Sequence, residues 1–471
     1  MTYAFKLSRR LAQSWVSLFS AATLAVGCVG ERAIVDPTTP PDTSGTTQPP
    51  PPPPQPPPAG PRVGFYVSAT GSSAGDGSEA QPWDLKTALA GAGGRIQGGD
   101  TVWVRGGTYY APFRSTVSGN STDGHVVFRA YPGEPALIDG GRTTSDNFVV
   151  AGSYTILWGL EFTNTGGTRY TDAINHNHRA PNVVNNGPNN KYINLVVHDG
   201  GVGFYTYSNR ADVEVYGSIF YNNGWQAPDR GHGHALYLKN DVGPLVVKDN
   251  VIFNQYGYGL HVYTNVGDGL LNNIRLEGNV SFDNGSLATT GTSANLGNLG
   301  QPLANNLKVV DNMTYMAPSL SGTNFTLGSG VGLLATNNYV VGGNGISQGT
   351  WTGASVSSNT VLPAGQATRA ATVFVRPNQY ERGRANVIVY NWNRQSSVTV
   401  SLDGVLAAGD RYEVRNVQDL SGTPVATGTF GGSSISIPMG GVAAPVPVGL
   451  SSSRAPRTGP DFDVFVVVKA D

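Results

Sequence analysis

Val213-Glu214-Val215-Tyr216-Gly217-Ser218-Ile219-Phe220 and Val246-Val247-Lys248-Asp249-Asn250-Val251-Ile252-Phe253 share one pattern: a β-rich run, a single Gly or Asn, then an apolar triplet. The pattern also occurs as Thr155-Ile156-Leu157-Trp158-Gly159 before Leu160-Glu161-Phe162. Further copies centre on Asn279, Asn312, Asn338 and Asn359, with a degenerate one near Leu195, at spacings from 21 to 36 residues. Asn and Gly both tolerate left-handed backbone angles, so one such residue can bend a strand sharply into the next. The flanking runs alternate or are β-branched, as half-buried strands require. Short strands, one-residue bends and a unit above 20 residues specify a parallel β-solenoid interrupted by loops of varying length.

Outward from these coils, Phe65–Gly71, Gly75-Asp76-Gly77, Pro82-Trp83 and Gly98–Val102 form an opening coil. With it the chain resembles the right-handed parallel β-helix family of the polysaccharide-lyase-like superfamily over residues 64–362. Trp83–Ala92 is the one persuasive helix, with Leu85, Ala88 and Leu89 on one face, placed to cap the open end of the solenoid. After residue 363 the coil motif stops. Val373–Val375, Asn386–Trp392, Ser397–Leu402, Arg411–Val417, Val425–Phe430, Ile435–Pro438 and Asp463–Val468 are seven strand candidates at sandwich spacing. The fold class expected is all-β: a right-handed parallel β-helix over 63–363 and a small C-terminal β-sandwich over 366–471.

Composition agrees. Charged residues are 13% of the 471, about half the usual share, and the formal net charge of -1 leaves no basic face for nucleic acid. The single Cys excludes an internal disulfide framework. It is Cys28, after Leu24-Ala25-Val26-Gly27, and Lys6, Arg9 and Arg10 precede the apolar stretch. This resembles the lipobox of bacterial lipoproteins. It implies a signal peptide over 1–28, lipidation at Cys28, and an exported, membrane-anchored protein at the cell surface or in the periplasm. Residues 29–62 read as a linker, since Glu31–Pro61 hold thirteen prolines. As polyproline II, Pro49–Pro61 would extend roughly 40 Å.

In β-helices of this family the strand after the variable loop often lines a groove. Aligning those strands by apolar phase points Phe204, Thr206, Leu236, Leu238, Leu260 and Val262 inward. Residues between and beside them face out: Tyr205 and Tyr207, Tyr237 and Lys239, His261 and Tyr263, with Asn175 and Asn177 one coil earlier. The preceding loop adds Trp225, Asp229, Arg230 and His232, while His234 reads as a satisfied strand-end histidine. Six of the seven histidines fall between His176 and His261, beside these tyrosines.

Tyrosine faces pack on the apolar side of a pyranose while their hydroxyls hydrogen-bond; stacking as a ladder along the sheet is the plain structural alternative. A lysine among tyrosines can have a lowered pKa and act as a base. The expected function is extracellular polysaccharide processing, foremost a lyase cleaving a uronic-acid glycan by β-elimination. Lys239 or His261 would be the base, Tyr237 or Tyr263 the acid, and Arg230 would neutralise the carboxylate. Tyr205, Tyr207, Trp225, Asp229, His232, Asn175 and Asn177 would bind substrate. A C5-epimerase would use similar residues. A glycoside hydrolase needs paired carboxylates, and the phase puts none of Asp172, Asp199, Asp229 or Asp241 on the exposed face. A non-catalytic glycan-binding or adhesin-like protein would use the same groove. No cofactor is expected, because no clear carboxylate cluster supports calcium or another divalent metal. His176-Asn177-His178 and His232-Gly233-His234 raise a zinc or copper site only in spacing. The partners expected are a polysaccharide and, through the lipid, a membrane, with a monomeric chain and no nucleic acid.

Overall fold

The computed structural model describes residues 63–141, 143, 145–174, 178–207, 210–290, 295–365 and 369–470. Cys28, the linker, Asn175, His176 and Asn177 lie outside them. Each turn of chain visits three parallel sheets in order. Sheet A runs from Phe65–Val67 to Trp351–Ser357, sheet B from Gly107–Tyr110 to Thr360–Leu362, and sheet C from Phe113–Ser115 to Ile346–Gln348. Pairing is parallel and in register from coil to coil, as in Val213↔Leu245↔Ile274 on sheet A. The inward residues form one continuous core, with Phe128, Leu157, Tyr192, Val215, Val247 and Leu276 all buried.

The bends differ from the sequence expectation by one residue. Gly159 and Gly217 do take positive φ, at 69° and 61°. In the later coils the left-handed residue is the one before the repeated Asn: Asp249, Gly278, Asp311, Asn337 and Ser358. The Asn itself turns its amide inward. Asn250, Asn279, Asn312, Asn338 and Asn359 form a ladder in which each Nδ2 donates to the next Oδ1 at 2.8–3.0 Å. Each Nδ2 also donates to a main-chain carbonyl of an earlier strand, such as Val247 for Asn279 and Leu276 for Asn312. Buried polar groups must be paired, and stacking identical amides achieves this at every bend.

The cap is shorter than its pattern predicts. The helix covers only Leu85–Leu89, capped by Asp84 on the Thr87 N–H, and Gly91 at φ 85° ends it. Leu85, Ala88 and Leu89 do face the core.

All seven C-terminal strand candidates form. Five make an antiparallel sheet in the order 372–377, 384–390, 462–470, 411–416, 426–429, and 397–401 pairs with 434–438. The larger sheet covers the outer face of sheet B. There Tyr221, Phe253 and Phe282 stack at 5.3 and 4.9 Å, and Tyr315 stacks on Phe462 at 4.5 Å. Such pairs contribute about 0.5–1.5 kcal/mol each beyond area burial. Polar ties fix the register: Arg376 on Asp249, Asn378 on Asn194, and Tyr380 between Lys191 and Glu214. The outer face of sheet B is thereby closed, sheets A and C keep outward rows of their own, and the tyrosines lie on sheet C.

Candidate functional site

Sheet C sets its outward row by register alone. Val184, Tyr205, Tyr237, His261, Thr326 and Ser347 stand in it, with the backbone of Asn298 paired between His261 and Thr326, in coils about 4.8 Å apart. The phase expectation holds at the floor: Phe204, Thr206, Leu236, Leu238, Leu260 and Val262 are buried. On the outer side Tyr205 stacks on Tyr237 at 5.1 Å, and Tyr207 meets Tyr205 edge-on at 4.7 Å. His261 contacts Tyr237 edge-on at 5.0 Å and stacks on Tyr263 at 4.8 Å. Tyr205 and Tyr237 thus do form a ladder, while Tyr207 stays 44% exposed.

Lys239 departs from the expectation of a lysine with lowered pKa. It is 4% exposed, and its Nζ lies 2.6 Å from Asp268 Oδ2 and under 6 Å from the Tyr205 and Tyr237 rings. Burial by itself pulls its pKa down, but the Asp268 bond and the Tyr205 phenol outweigh burial and raise it. Lys239 is therefore held as an ammonium, which can neutralise an anion or give a proton but cannot accept one.

His261 has the opposite setting. Burial, then the positive charge of Arg230, pulls it down to about 3, and its Nδ1 has no hydrogen-bond partner. Its imidazole is neutral across the physiological range. His234, 4.3 Å away between ring centres, is neutral for the same reasons, with burial first. Its Nδ1 accepts from the Tyr258 N–H, as expected of a satisfied histidine. Tyr237 is raised above the usual phenol value by burial and then by the adjacent phenols Tyr205 and Tyr263, so it remains a proton donor.

The loop candidates do not all reach the groove. Trp225–Gln226 and Gly231–His232 pair as an antiparallel hairpin. Trp225 is buried, stacked on His232 at 5.5 Å and packed near His178. His232 is buried too, and its Nε2 is 2.9 Å from Asp229 Oδ1. These two therefore build the wall rather than its surface, because their rings are consumed against each other. Asp229 serves His232, and Arg230 remains partly exposed, bonding the Gly231 carbonyl.

Phase reasoning missed a polar cavity on the opposite rim. About 510 Å³ is lined by Asn186, Tyr207, Arg210, Lys239, Asp241 and Gly267–Gly269. Asp268 reaches it from a loop 29 residues beyond Lys239, flanked by two glycines at positive φ. The Gly-Asp-Gly run is the only local signal. Asp241 caps the Leu270 N–H, and Asp199 is ion-paired with Arg169. Asp199, Asp229, Asp241 and Asp268 thus each have a partner already. Among the described residues no group of three or more His, Cys, Asp or Glu is arranged for a metal ion, so no step below runs through one.

A family model described as Pel9A-like, right handed beta helix region, matches residues 65–301. No curated protein sequence matches the chain. Among solved structures, a rhamnogalacturonan lyase aligns at TM-score 0.44 and 16% identity, covering 63% of this chain and 86% of that one. The pectate lyase Pel9A aligns at TM-score 0.37 and 18% identity, covering 63% and 78%. A GH136 lacto-N-biosidase from Eubacterium ramulus aligns at TM-score 0.33 and 15% identity, covering 63% and 67%.

Proposed function

Since the chain belongs to the Pel9A-like right-handed β-helix family, we propose that it processes polysaccharide, as a lyase that cleaves a uronic-acid glycan by β-elimination on the open face of sheet C. The observation that carries the reading is one patch of three chemistries: an ammonium at Lys239, a phenol at Tyr237 and, in register with Tyr237, a neutral imidazole at His261.

Elimination removes the C5 proton, forms the C4–C5 double bond and breaks the bond from C4 to the glycosidic oxygen. His261 takes the C5 proton on Nε2, since Nδ1 is enclosed in the fold. The electron pair passes through the enolate of the carboxylate group, whose charge Lys239 and Arg230 neutralise. Tyr237 Oη gives its proton to the leaving oxygen. Binding the substrate carboxylate beside Arg230 offsets the charge that holds His261 down, so the base strengthens when substrate is present. Lys239 thus moves from the base expected from sequence to the carboxylate-binding cation, with Asp268 occupying its ammonium until substrate arrives. Tyr205 and Tyr207 give apolar faces to the sugar rings. Export as a lipoprotein anchored at Cys28 belongs to the same proposal and delivers the enzyme to an extracytoplasmic polymer.

The test follows absorbance of unsaturated uronate on a polyuronide panel for the wild type, His261→Ala and Lys239→Ala. Loss of about 10²–10⁴-fold in kcat for His261→Ala, in the range of a general base, is the expected result. Reducing ends released without the chromophore would replace elimination by hydrolysis. Binding with no product at all would make the protein a glycan-binding module.

A further inference from the structure

A second cavity adjoins the first, one to two coils nearer the C-terminal end of the solenoid. About 400 Å³ is lined by Tyr263, Thr264, Asn265, Val266, Gln301, Pro302 and Ser329. The loop after Tyr263 is the partition: Gly267–Gly269 line the Lys239 cavity, and Thr264–Val266 line this one. A bulge at Gly300 sets Gln301 opposite Tyr263, which places an amide where the Lys239 coil has its ammonium.

The two cavities differ in charge. The first holds Arg210, Lys239, Asp241 and Asp268; the second holds only a phenol, hydroxyls, amides, Val266 and Pro302. The contrast extends along the chain. From Asn284 to Thr368 the only charged side chains are Lys308 and Asp311. Lys308 is on a strand of sheet A, Asp311 follows that strand, and neither lines the cavity. Beyond His261 the outward row of sheet C holds Thr326 and Ser347, and the intervening strand Gly297–Gln301 has no charged residue in its sequence. The rim itself is apolar, since Val266 is 91% and Leu303 69% exposed.

A carboxylate moved into such a cavity would give up water without gaining a cation, whereas a neutral pyranose loses nothing comparable and gains apolar contact with Val266 and Pro302. Resting on the elimination proposed above, we infer that the sugar held beside the cleaved uronate, toward the C-terminal coils, is uncharged. The substrate is then a mixed glycan, in which uronate and neutral sugars are neighbours, rather than a polymer of uronate alone.

Two substrate sets test this with the full chain. In one every sugar is a uronate (polygalacturonate, alginate); in the other uronate is flanked by neutral sugars (an alternating galacturonate–rhamnose backbone, gellan). The expected result is at least about tenfold higher kcat/KM on a member of the mixed set. Val266→Lys, at an exposed loop tip, should narrow that ratio by supplying the missing cation. Equal or faster elimination on the all-uronate set overturns the inference while leaving the elimination reading intact. Calorimetric titration with size-matched oligosaccharides reads the same preference without turnover. If no polymer gives unsaturated product, elimination falls, and tighter binding of the mixed oligosaccharide still supports the neutral cavity while equal or weaker binding overturns it.

Discussion

Replacing Asn312 by Ala removes the middle rung of the amide ladder. Its Oδ1 accepts from the Asn279 main-chain N–H at 3.0 Å and from Asn279 Nδ2 at 2.9 Å. Its own Nδ2 serves the Leu276 carbonyl and Asn338 Oδ1. Truncation leaves the Asn279 main-chain N–H and one of the two Nδ2 hydrogens without an acceptor, Nδ2 keeping its bond to the Val247 carbonyl, in a site where Asn279 and Asn312 are both fully buried. At about 1–3 kcal/mol per unsatisfied buried group, the expected loss is about 2–6 kcal/mol. Asn359→Ala provides the internal control. It also removes the acceptor of a main-chain N–H and an Nδ2, both on Asn338, but it lies half-buried in the last coil, where water can substitute. Its expected loss is about 1 kcal/mol or less. Urea midpoints of the full chain, followed by far-ultraviolet circular dichroism, give the comparison. Losses for the two variants within about 0.5 kcal/mol of each other would refute the claim that buried amide pairing, rather than bend conformation, makes Asn recur.

Stability should fall as pH rises from about 6.5 to 9, whereas between about 4 and 6.5 the loss at Asp283 and Asp463 is opposed by a gain at His261 and His234, which burial holds below their unfolded value. Asp283 and Asp463 are each raised to about 7, by burial first, against hydrogen bonds that favour their charged forms; a folded-state carboxyl pKa above the unfolded one favours folding at low pH, and that gain is lost between about 4 and 7. For His198, burial lowers the pKa, but Asp199 and Glu161 outweigh it and lift it to about 9, so its contribution is complete below about 6.5 and disappears through 9. Thermal midpoints from about pH 4 to 9 check the assignment, with Asp283→Asn removing one falling contribution between about 4 and 7 and so making the slope there more positive than in the wild type. Arg230→Gln should move the acid limb of kcat/KM to higher pH, because Arg230 helps hold His261 down; an unmoved limb would remove His261 as the base. Cys28→Ser should shift the protein from the detergent phase to the aqueous phase on partitioning of cells, with no incorporation of labelled palmitate.

The side-chain phase of sheet C was legible because a strand has period two. Phe204, Leu236 and Leu260 had to share a face, and Tyr205, Tyr237 and His261 the other, whatever the loops did. The bend residue was not legible to within one position. Asp249, Asp311 and Asn337 tolerate left-handed angles as well as the Asn that follows, so local chemistry is degenerate and the buried ladder decides. The state of Lys239 depends on Asp268, which the solenoid brings back from the next coil and which only a Gly-Asp-Gly run, carrying no information about its partner, marks locally. Trp225 and His232 were misplaced for a related reason. Their hairpin is antiparallel and lies outside the coil period, so a phase drawn from the strands does not apply to it.

The hairpin also connects the sandwich to the groove. Arg169, in the loop after the sheet B strand Glu161–Thr163, is fully buried and ion-paired with Asp199. It donates to the Asn222 and Gly224 carbonyls, immediately before Trp225, and to the Val448 carbonyl of the C-terminal segment. Asp199 in turn accepts from the Val448 N–H. At the hairpin's other end Gln226 bonds the Thr171 N–H through its carbonyl, and its side chain holds Thr289 and Thr290 of a later loop. Three variable loops and the sandwich segment therefore share one set of buried polar bonds. Such a buried pair holds its neighbours in place because removing one partner costs about 3–5 kcal/mol. A groove wall built from loops, which are ordinarily the mobile part of a solenoid, is in this way tied to the rigid coils. Arg230, carried on that wall, is held within electrostatic reach of His261, and the sandwich contributes to the site through the wall.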